Sequence, residues 1–298
     1  MRTCARVLVL GVALAGLASA CDDHEKSSAP LVVIEATKPE GGRPTAQDME
    51  LSVAVIRDRL DSVGLGDVEV IRKGSRIMFR LPVRVDRRAL PLLIRTGRLE
   101  IFDLQGDLAH PSIDALGFPR ASLKRLSPRP KTVVVTCRKG ARYCPGVPTR
   151  PTSNYYYLLK YDPKSKTHPV PELTGSDLKA KGTRQDVDTQ TNEPIVLLQF
   201  TDKGARKFEA LTRRLAERGR SVHNRIGGDD ELTFQQFAIV LDRQLWSAPT
   251  IDYKQNPGGI PGENGAQITG IPSLREAKDL AIVLRAGTFP VEFRLVSK

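Results

Sequence analysis

The sequence predicts an α+β protein built as a ferredoxin-like βαββαβ unit, a proline-rich basic connector and an α+β head domain. Three observations carry that expectation. Period-two and period-3.6 apolar patterns alternate at both ends of the chain but not in its middle. Ten of the 21 prolines fall between Pro111 and Pro171, which nearly excludes helices there and restricts strands to short or edge positions. Finally, 298 residues at 40% hydrophobic and 27% charged content are enough to bury a core.

The first residues are of a different kind. Arg2 and Arg6 precede an apolar run over residues 7–18, too short for the roughly 20 residues that span a bilayer and expected to be a secretory signal covering residues 1–20. The next stretch, LASAC, reads in two ways. Ala18-Ser19-Ala20 is a small-x-small cleavage site, and Cys21 directly after it resembles the lipidated cysteine of a bacterial lipoprotein, although Ala18 stands where that pattern usually has Leu and Leu17 lies one place earlier. Lipidation of Cys21, and hence anchoring to a membrane, is the expectation; simple secretion is the alternative. Residues 21–30 form a polar tether.

The ferredoxin-like base is expected over residues 31–104. Residues 31–36 are a β-branched apolar strand. Thr45 and Asp48 make a capping-box pattern before Met49, Val53, Ile56 and Leu60 at helical spacing, with Gly64 as the stop. Residues 68–72 and 77–81 alternate around Lys73-Gly74-Ser75 as a hairpin, a short helix follows over 85–95, and 98–104 is read as the fourth strand.

The connector covers residues 105–171, with strands expected at 131–136 and 154–161. The head covers 172–298: a strand at 194–200, then a helix capped by Thr201 or Asp202 that carries Ala205, Phe208, Leu211 and Leu215 and closes at Gly219. Residues 237–241 and 244–251 form a hairpin on a two-residue turn, Asp242-Arg243, with Ile239 facing Trp246 and Val240 facing Leu245. Ser273 and Glu276 cap a helix bearing Ala277, Leu280, Ala281 and Leu284, which ends at Gly287 before a last strand at 289–295.

Charge and cysteine usage supply the candidate sites. The formal charge is +12, and between Phe118 and Lys166 twelve Lys and Arg face one acid, Asp162. Lys124, Arg125, Arg129 and Lys131 are candidates for contact with a charged partner or an anionic membrane, where each cation near the surface contributes about 1 kcal/mol; a solvated basic loop is the alternative. Tyr155 and Tyr157 share one strand face and are candidates for holding an unstructured polypeptide, against ordinary packing on the sheet. Cys4 leaves with the signal, so Cys137 and Cys144 are left as a C-x6-C pair in an oxidising compartment and are expected to form a disulfide. No metal is expected, because His110 and His168 each lie more than twenty residues from that pair. G-x-S-x-G, H-E-x-x-H and phosphate-loop patterns do not occur, so neither catalysis nor a cofactor is expected. The export signal disfavours nucleic acid as a partner.

Several blocks resemble a known family. LTGSDL (173–178), VLLQFTDKGARKFEALT (196–212), AIVLDRQLWSAPTID (238–252) and ITGIPSLREAKDLAIVLRAGTFPV (268–291) stand in the order found in the first periplasmic domain of the SecD family of bacterial export subunits. IRDRLDSVGLGDVEVIRKGSRIMFRLP (56–82) and TGRLEIF (96–102) resemble it as well. The resemblance implies a base-plus-head periplasmic fold and a role in protein export. It also implies a difference: that family carries its proton-coupling carboxylates in membrane helices, and the sequence shows a signal where the first of them would be. DLQGD (103–107) is similar to a motif beside the family's first membrane helix, but is read here as a strand end and turn. The family usually has Gly after Asp242, whereas Arg243 stands here, which implies either a strain of about 1 kcal/mol in a primed turn or a different loop.

The expected protein is therefore extracytoplasmic, lipid-anchored and non-catalytic, with the Sec translocon or unfolded secreted polypeptides as partners. An envelope structural module at the membrane surface and an enzyme of unrecognised type are the alternatives. Substituting Cys21→Ala should move the protein out of the membrane fraction or stall its processing; unchanged fractionation together with normal cleavage would contradict lipidation.

Overall fold

A computed structural model describes residues 30–39, 41–82, 89–109, 121–227 and 229–297. The expected signal, Cys21, the tether up to residue 29, His24 and His110 lie outside them.

The smaller of the two main sheets is antiparallel and gathers the two ends of the described chain. Strand β1 (Leu31–Thr37) turns Val32, Ile34 and Ala36 inward, as its alternation requires. Helix α1 (Ala46–Ser62) starts at Thr45, whose side chain accepts the Asp48 amide at 3.2 Å while the Asp48 carboxylate accepts the Thr45 amide at 2.8 Å. Strands β2 (Val70–Lys73) and β3 (Arg76–Arg80) form the expected hairpin. The short helix α2 spans Ala89–Ile94.

The fourth strand differs from expectation. It is β14 (Glu292–Ser297), giving the order β14-β1-β3-β2, whereas β4 (Leu99–Asp103) belongs to another sheet. Burial explains the exchange. Every residue of β4 is buried, with Leu99 and Ile101 in one core and Phe102 in another, which suits a strand covered on both faces. In β14, Phe293 alone packs against the small core, edge-on to Phe289 at 4.9 Å between centroids. The base is thus a split unit: its first part ends near residue 94 and its last strand is the end of the chain.

The larger sheet holds β4, β5 (Thr132–Cys137), β6 (Tyr155–Lys160), β7 (Leu173–Thr174), β10 (Gln235–Leu241), β11 (Gln244–Ser247) and β12 (Thr250–Ile251). Its order is β6-β5-β11-β10-β4-β7, with β12 on β10. The segment expected as a connector is therefore part of the central sheet: β5 and β6 occur close to the expected positions, and β5 runs parallel to β11 through one register pair, Gln244 with Thr136. A third sheet, ordered β13-β9-β8, consists of β8 (Arg184–Val187), β9 (Pro194–Leu198) and β13 (Ala266–Ile268).

Two helices cover these sheets. Helix α3 (Asp202–Ile226) is capped by Thr201 and runs past Gly219, the expected stop, to Gly227 at φ +63. His223, beyond that expected stop, is on this helix. Gly219 serves close packing instead: a Cβ there would stand 3.1 Å from the Thr233 carbonyl oxygen and 3.2 Å from the Tyr253 ring. Helix α4 (Leu274–Ala286) is capped by Ser273 and lies between base and head, with Ala277, Leu280, Ala281 and Leu284 in the head core and a contact to α1 on the base side.

One side chain joins the parts. Arg59, on α1, is fully buried. One terminal nitrogen donates to the carbonyls of Leu92 at 3.2 Å, Leu93 at 3.1 Å and Arg95, the other donates to Gly287 at 3.0 Å, and the guanidinium lies 4.4 Å over the Phe289 ring. These carbonyls are the C-terminal ends of α2 and α4, where orphan acceptors and the negative pole of each helix favour a cation. Burial lowers the Arg59 pKa to about 10, which still leaves it charged at neutral pH. Arg59→Ala should lower stability by about 3 kcal/mol or more, because several buried carbonyls lose their donor, and Arg59→Lys should recover only part of it for want of the planar fork. Denaturant unfolding of the two variants measures this; a shift below about 0.5 kcal/mol for the alanine variant would contradict it.

Candidate functional site

The β10–β11 hairpin forms the floor of the candidate site. Its turn is the expected pair, Asp242 and Arg243, at φ +51 and +65. Val240 faces Leu245 as expected, but the register slips between Ile239 and Val240, so Ile239 opposes Ser247 and not Trp246. Trp246, half-buried, packs against the head core that also holds Ile239, and Arg95 lies 5.2 Å from its ring. Asp242 does more than turn the chain: its carboxylate accepts Arg95 Nε at 2.9 Å and the Arg98 amide at 2.8 Å, holding the strand that enters the head.

Beyond the single pairing with β5, strand β11 faces an open cleft of about 840 Å³. Trp246, Ser247 and Pro249 lie along its floor, the loop after Cys137 forms one wall, and Thr269, Gly270 and Pro272 form the other. The volume falls in the roughly 300–1,000 Å³ range of ligand clefts. Cys137 and Cys144 are joined by a disulfide and both are buried, so the six-residue loop between them is pinned to the end of β5. Arg138, Lys139, Arg142 and Tyr143 project from this loop into or around the cleft, and Arg150 follows it. Arg142 forms an ion pair with Glu193, which stands just before β9, so the two lining residues bridge the hairpin loop and the three-stranded sheet.

The tyrosines and basic residues singled out from sequence do not line this cleft. Tyr157 is 1% exposed and its hydroxyl donates to the Pro145 carbonyl at 2.7 Å, so it belongs to the core under the disulfide and offers nothing to a partner. Tyr155, half-buried, packs against the same core, because the face the two share is the inner one. Lys124, Arg125, Arg129 and Lys131 are exposed, and Lys131 pairs with Asp162 at 3.0 Å. They precede β5, whereas the cleft cations follow it, a strand of roughly 20 Å away. The cleft cations were countable in the sequence as R-K-x-x-R inside the C-x6-C loop; what hid them was that their surroundings come from residues 193 and 244–272. No group of three His, Cys, Asp or Glu among the described residues is placed to hold a metal. No helix among them is long and apolar enough to cross a membrane.

Residues 155–291 match the family model of the SecDF P1 head subdomain. The chain is 30% identical over 250 residues to the protein translocase subunit SecD of Calditerrivibrio nitroreducens, covering 83% of this chain and 40% of that one. SecD of Aquifex aeolicus is 27% identical over 249 residues, covering 83% of this chain and 38% of that one. The crystal structure of SecDF in a super-membrane-facing form aligns with a TM-score of 0.56 at 26% identity, over 90% of this chain and 30% of that one. A second SecDF structure, of a membrane component that enhances protein export, gives a TM-score of 0.55 at 25% identity, over 90% of this chain and 98% of that one. The chain is SecD periplasmic-domain-like. It spans less than half the length of these SecD relatives.

The blocks that carry the SecD resemblance hold the head together. In LTGSDL, the buried Asp177 accepts the Thr174 amide at 3.0 Å and receives Lys207 Nζ, from the FTDKGARKF block, at 2.8 and 2.9 Å. The DLQGD segment is a strand end and turn: Asp103 takes Arg218 at 2.7 Å, Asp107 accepts the Asp103 amide at 3.0 Å, and Gln105 accepts the Gln236 amide at 2.9 Å. Glu172 beside them receives Arg214 at 2.6 Å.

Burial, followed by the nearby Asp103 and Glu172 carboxylates, raises the Asp107 pKa to about 7. An unfolded Asp titrates near ~3.9. Between those values the native state holds a proton the unfolded chain has released, so this group's contribution falls as pH rises from ~4 to about 7 and is level above. Asp107→Asn removes that slope while keeping an acceptor for the Asp103 amide. It should raise stability at pH ~8 by about 2–4 kcal/mol, at about 1.4 kcal/mol per pKa unit, and change it little at pH ~4. Urea midpoints across that range test it; parallel profiles for the two proteins would contradict it.

Proposed function

We propose that this protein is an extracytoplasmic, lipid-anchored accessory of protein export that holds extended polypeptide segments passively in the cleft above Trp246, with the Sec translocon as its setting. The similarity to SecD and SecDF, whose solved relative is described as enhancing protein export, supports the export role. The single observation that carries the binding reading is the open cleft itself: about 840 Å³, floored by a strand whose pairing with β5 stops after one register pair, and flanked by Trp246 and by Tyr143, which is 48% exposed. Aromatic faces beside strand backbone suit an extended chain whose sequence varies. Ordering such a chain costs several kcal/mol, so affinity should be micromolar or weaker, about −8 kcal/mol at best.

A second reading, a membrane-surface module, rests on the exposed Lys124, Arg125 and Arg129, which lie away from the cleft. The full chain, carrying a photoreactive residue at position 143 or, as a control, at the exposed Ile71 of β2, can be titrated with a reduced, unfolded secretory protein. Saturable crosslinks from position 143, with a matching change in Trp246 fluorescence, are expected. Crosslinks from Ile71 alone, or no binding at millimolar concentration, would reject the cleft as a polypeptide site.

A further inference from the structure

The charges around the cleft are unevenly satisfied. Arg138 and Lys139 are exposed and form no ion pair among the described residues, and Arg150 donates only to the Gly140 carbonyl, at 3.1 Å. Of the two acids that line the cleft, Glu276 is engaged with Ser273 at the start of α4 and Glu193 is held by Arg142. Partial burial, and after it the nearby Arg95, lower the Arg138 pKa. The Arg142–Glu193 pair joins opposite walls, yet its side chains are 62% and 40% exposed. An ion pair that open to water contributes under about 1 kcal/mol and is easily exchanged.

We propose that the cleft selects acidic stretches of extended polypeptide, and that the Arg142–Glu193 pair is a latch which an incoming carboxylate opens by taking the place of Glu193. This rests on the cleft being a polypeptide site. Charge complementarity favours the acidic occupant: among the described residues Arg138, Lys139 and Arg150 lack carboxylate partners, and Arg142 has one that can be displaced. Trp246 and Tyr143 offer contact area to residues flanking the acids. The disulfide holds Arg138 and Lys139 next to the bonded Cys137, so their charges are positioned before any ligand arrives.

Trp246 is the one tryptophan of the sequence and lines the cleft, so its fluorescence reports occupancy in the full, unlabelled chain. Three unstructured, tryptophan-free peptides of equal length and aromatic content should be compared, carrying Asp and Glu, Asn and Gln, or Lys at the same variable positions. The acidic peptide should bind about tenfold or more tighter than its amide counterpart, about 1.4 kcal/mol, and the lysine peptide weakest. Raising the salt should narrow the difference. Arg138→Glu with Lys139→Glu should reverse the order, and Glu193→Gln, which removes the competing carboxylate, should tighten the acidic peptide. Equal affinities for all three peptides would overturn the charge selection and leave polypeptide capture standing. No response to any peptide would overturn both, as would a Trp246 response to anionic vesicles with none to the acidic peptide.

Discussion

A single guanidinium sits where the chain crosses between the base and the head, in both directions. Arg59 reaches from the first helix to the carbonyls at the ends of α2 and α4, and so touches the outgoing crossing near Arg95 and the returning one at Gly287. The two crossings also bond to each other: the Phe289 amide donates to the Thr96 carbonyl at 3.0 Å and the Thr288 hydroxyl to the Gly97 carbonyl at 2.9 Å. Gly97 is required there, because at φ +75 a Cβ would lie 2.8 Å from an Arg59 nitrogen and 2.9 Å from Val283. A charge buried this deeply is tolerated because carbonyl dipoles and the face of Phe289 replace its water. The closure of the small sheet by the end of the chain depends on that arrangement.

The cleft follows from the way the larger sheet is assembled. The β5–β6 hairpin is fully paired with itself over six register positions but joins β11 through only one. Two strands held together at one point diverge, and the space beyond opens between the disulfide loop and the turn after β13. The apolar backing is supplied from beneath, where Tyr157, Leu159 and Val135 fill the core under the hairpin. The rigid part of the site is therefore the disulfide and the sheet, and the exchangeable part is the exposed ion pair at its mouth.

Local sequence signals specify most of the elements and few of their neighbours. The caps at Thr45, Thr201 and Ser273 begin the expected helices, and the Asp242-Arg243 turn has the expected positive φ angles, because each depends on residues within a few positions of one another. The sheet membership of strands 99–103 and 292–297 is not legible locally, because both are short and apolar in part and only the core each one faces tells them apart. Gly219 looked like a stop because a glycine that admits close packing and one that ends a helix are the same letter. Arg59 was hidden for a related reason: at a charged position in an amphipathic helix, nothing local marks the one arginine whose partners lie up to 228 residues away. The burial of Tyr157 is hidden because a strand's sequence shows which residues share a face but not which face is covered.

The pairing of β1 with β14 sets how mechanical load would travel through the protein. Val33 opposes Ser297 and Thr37 opposes Glu292, so both ends of the folded chain leave the same end of one antiparallel pair. Tension applied between an anchor before β1 and anything attached after β14 would peel that pair open one ladder bond at a time, the weak direction for a sheet, while the head lies outside the line of force. A pull on a chain held in the cleft would load different bonds: it would reach the base through the two adjacent crossings at Arg59, with the head acting as a lever on that short pivot.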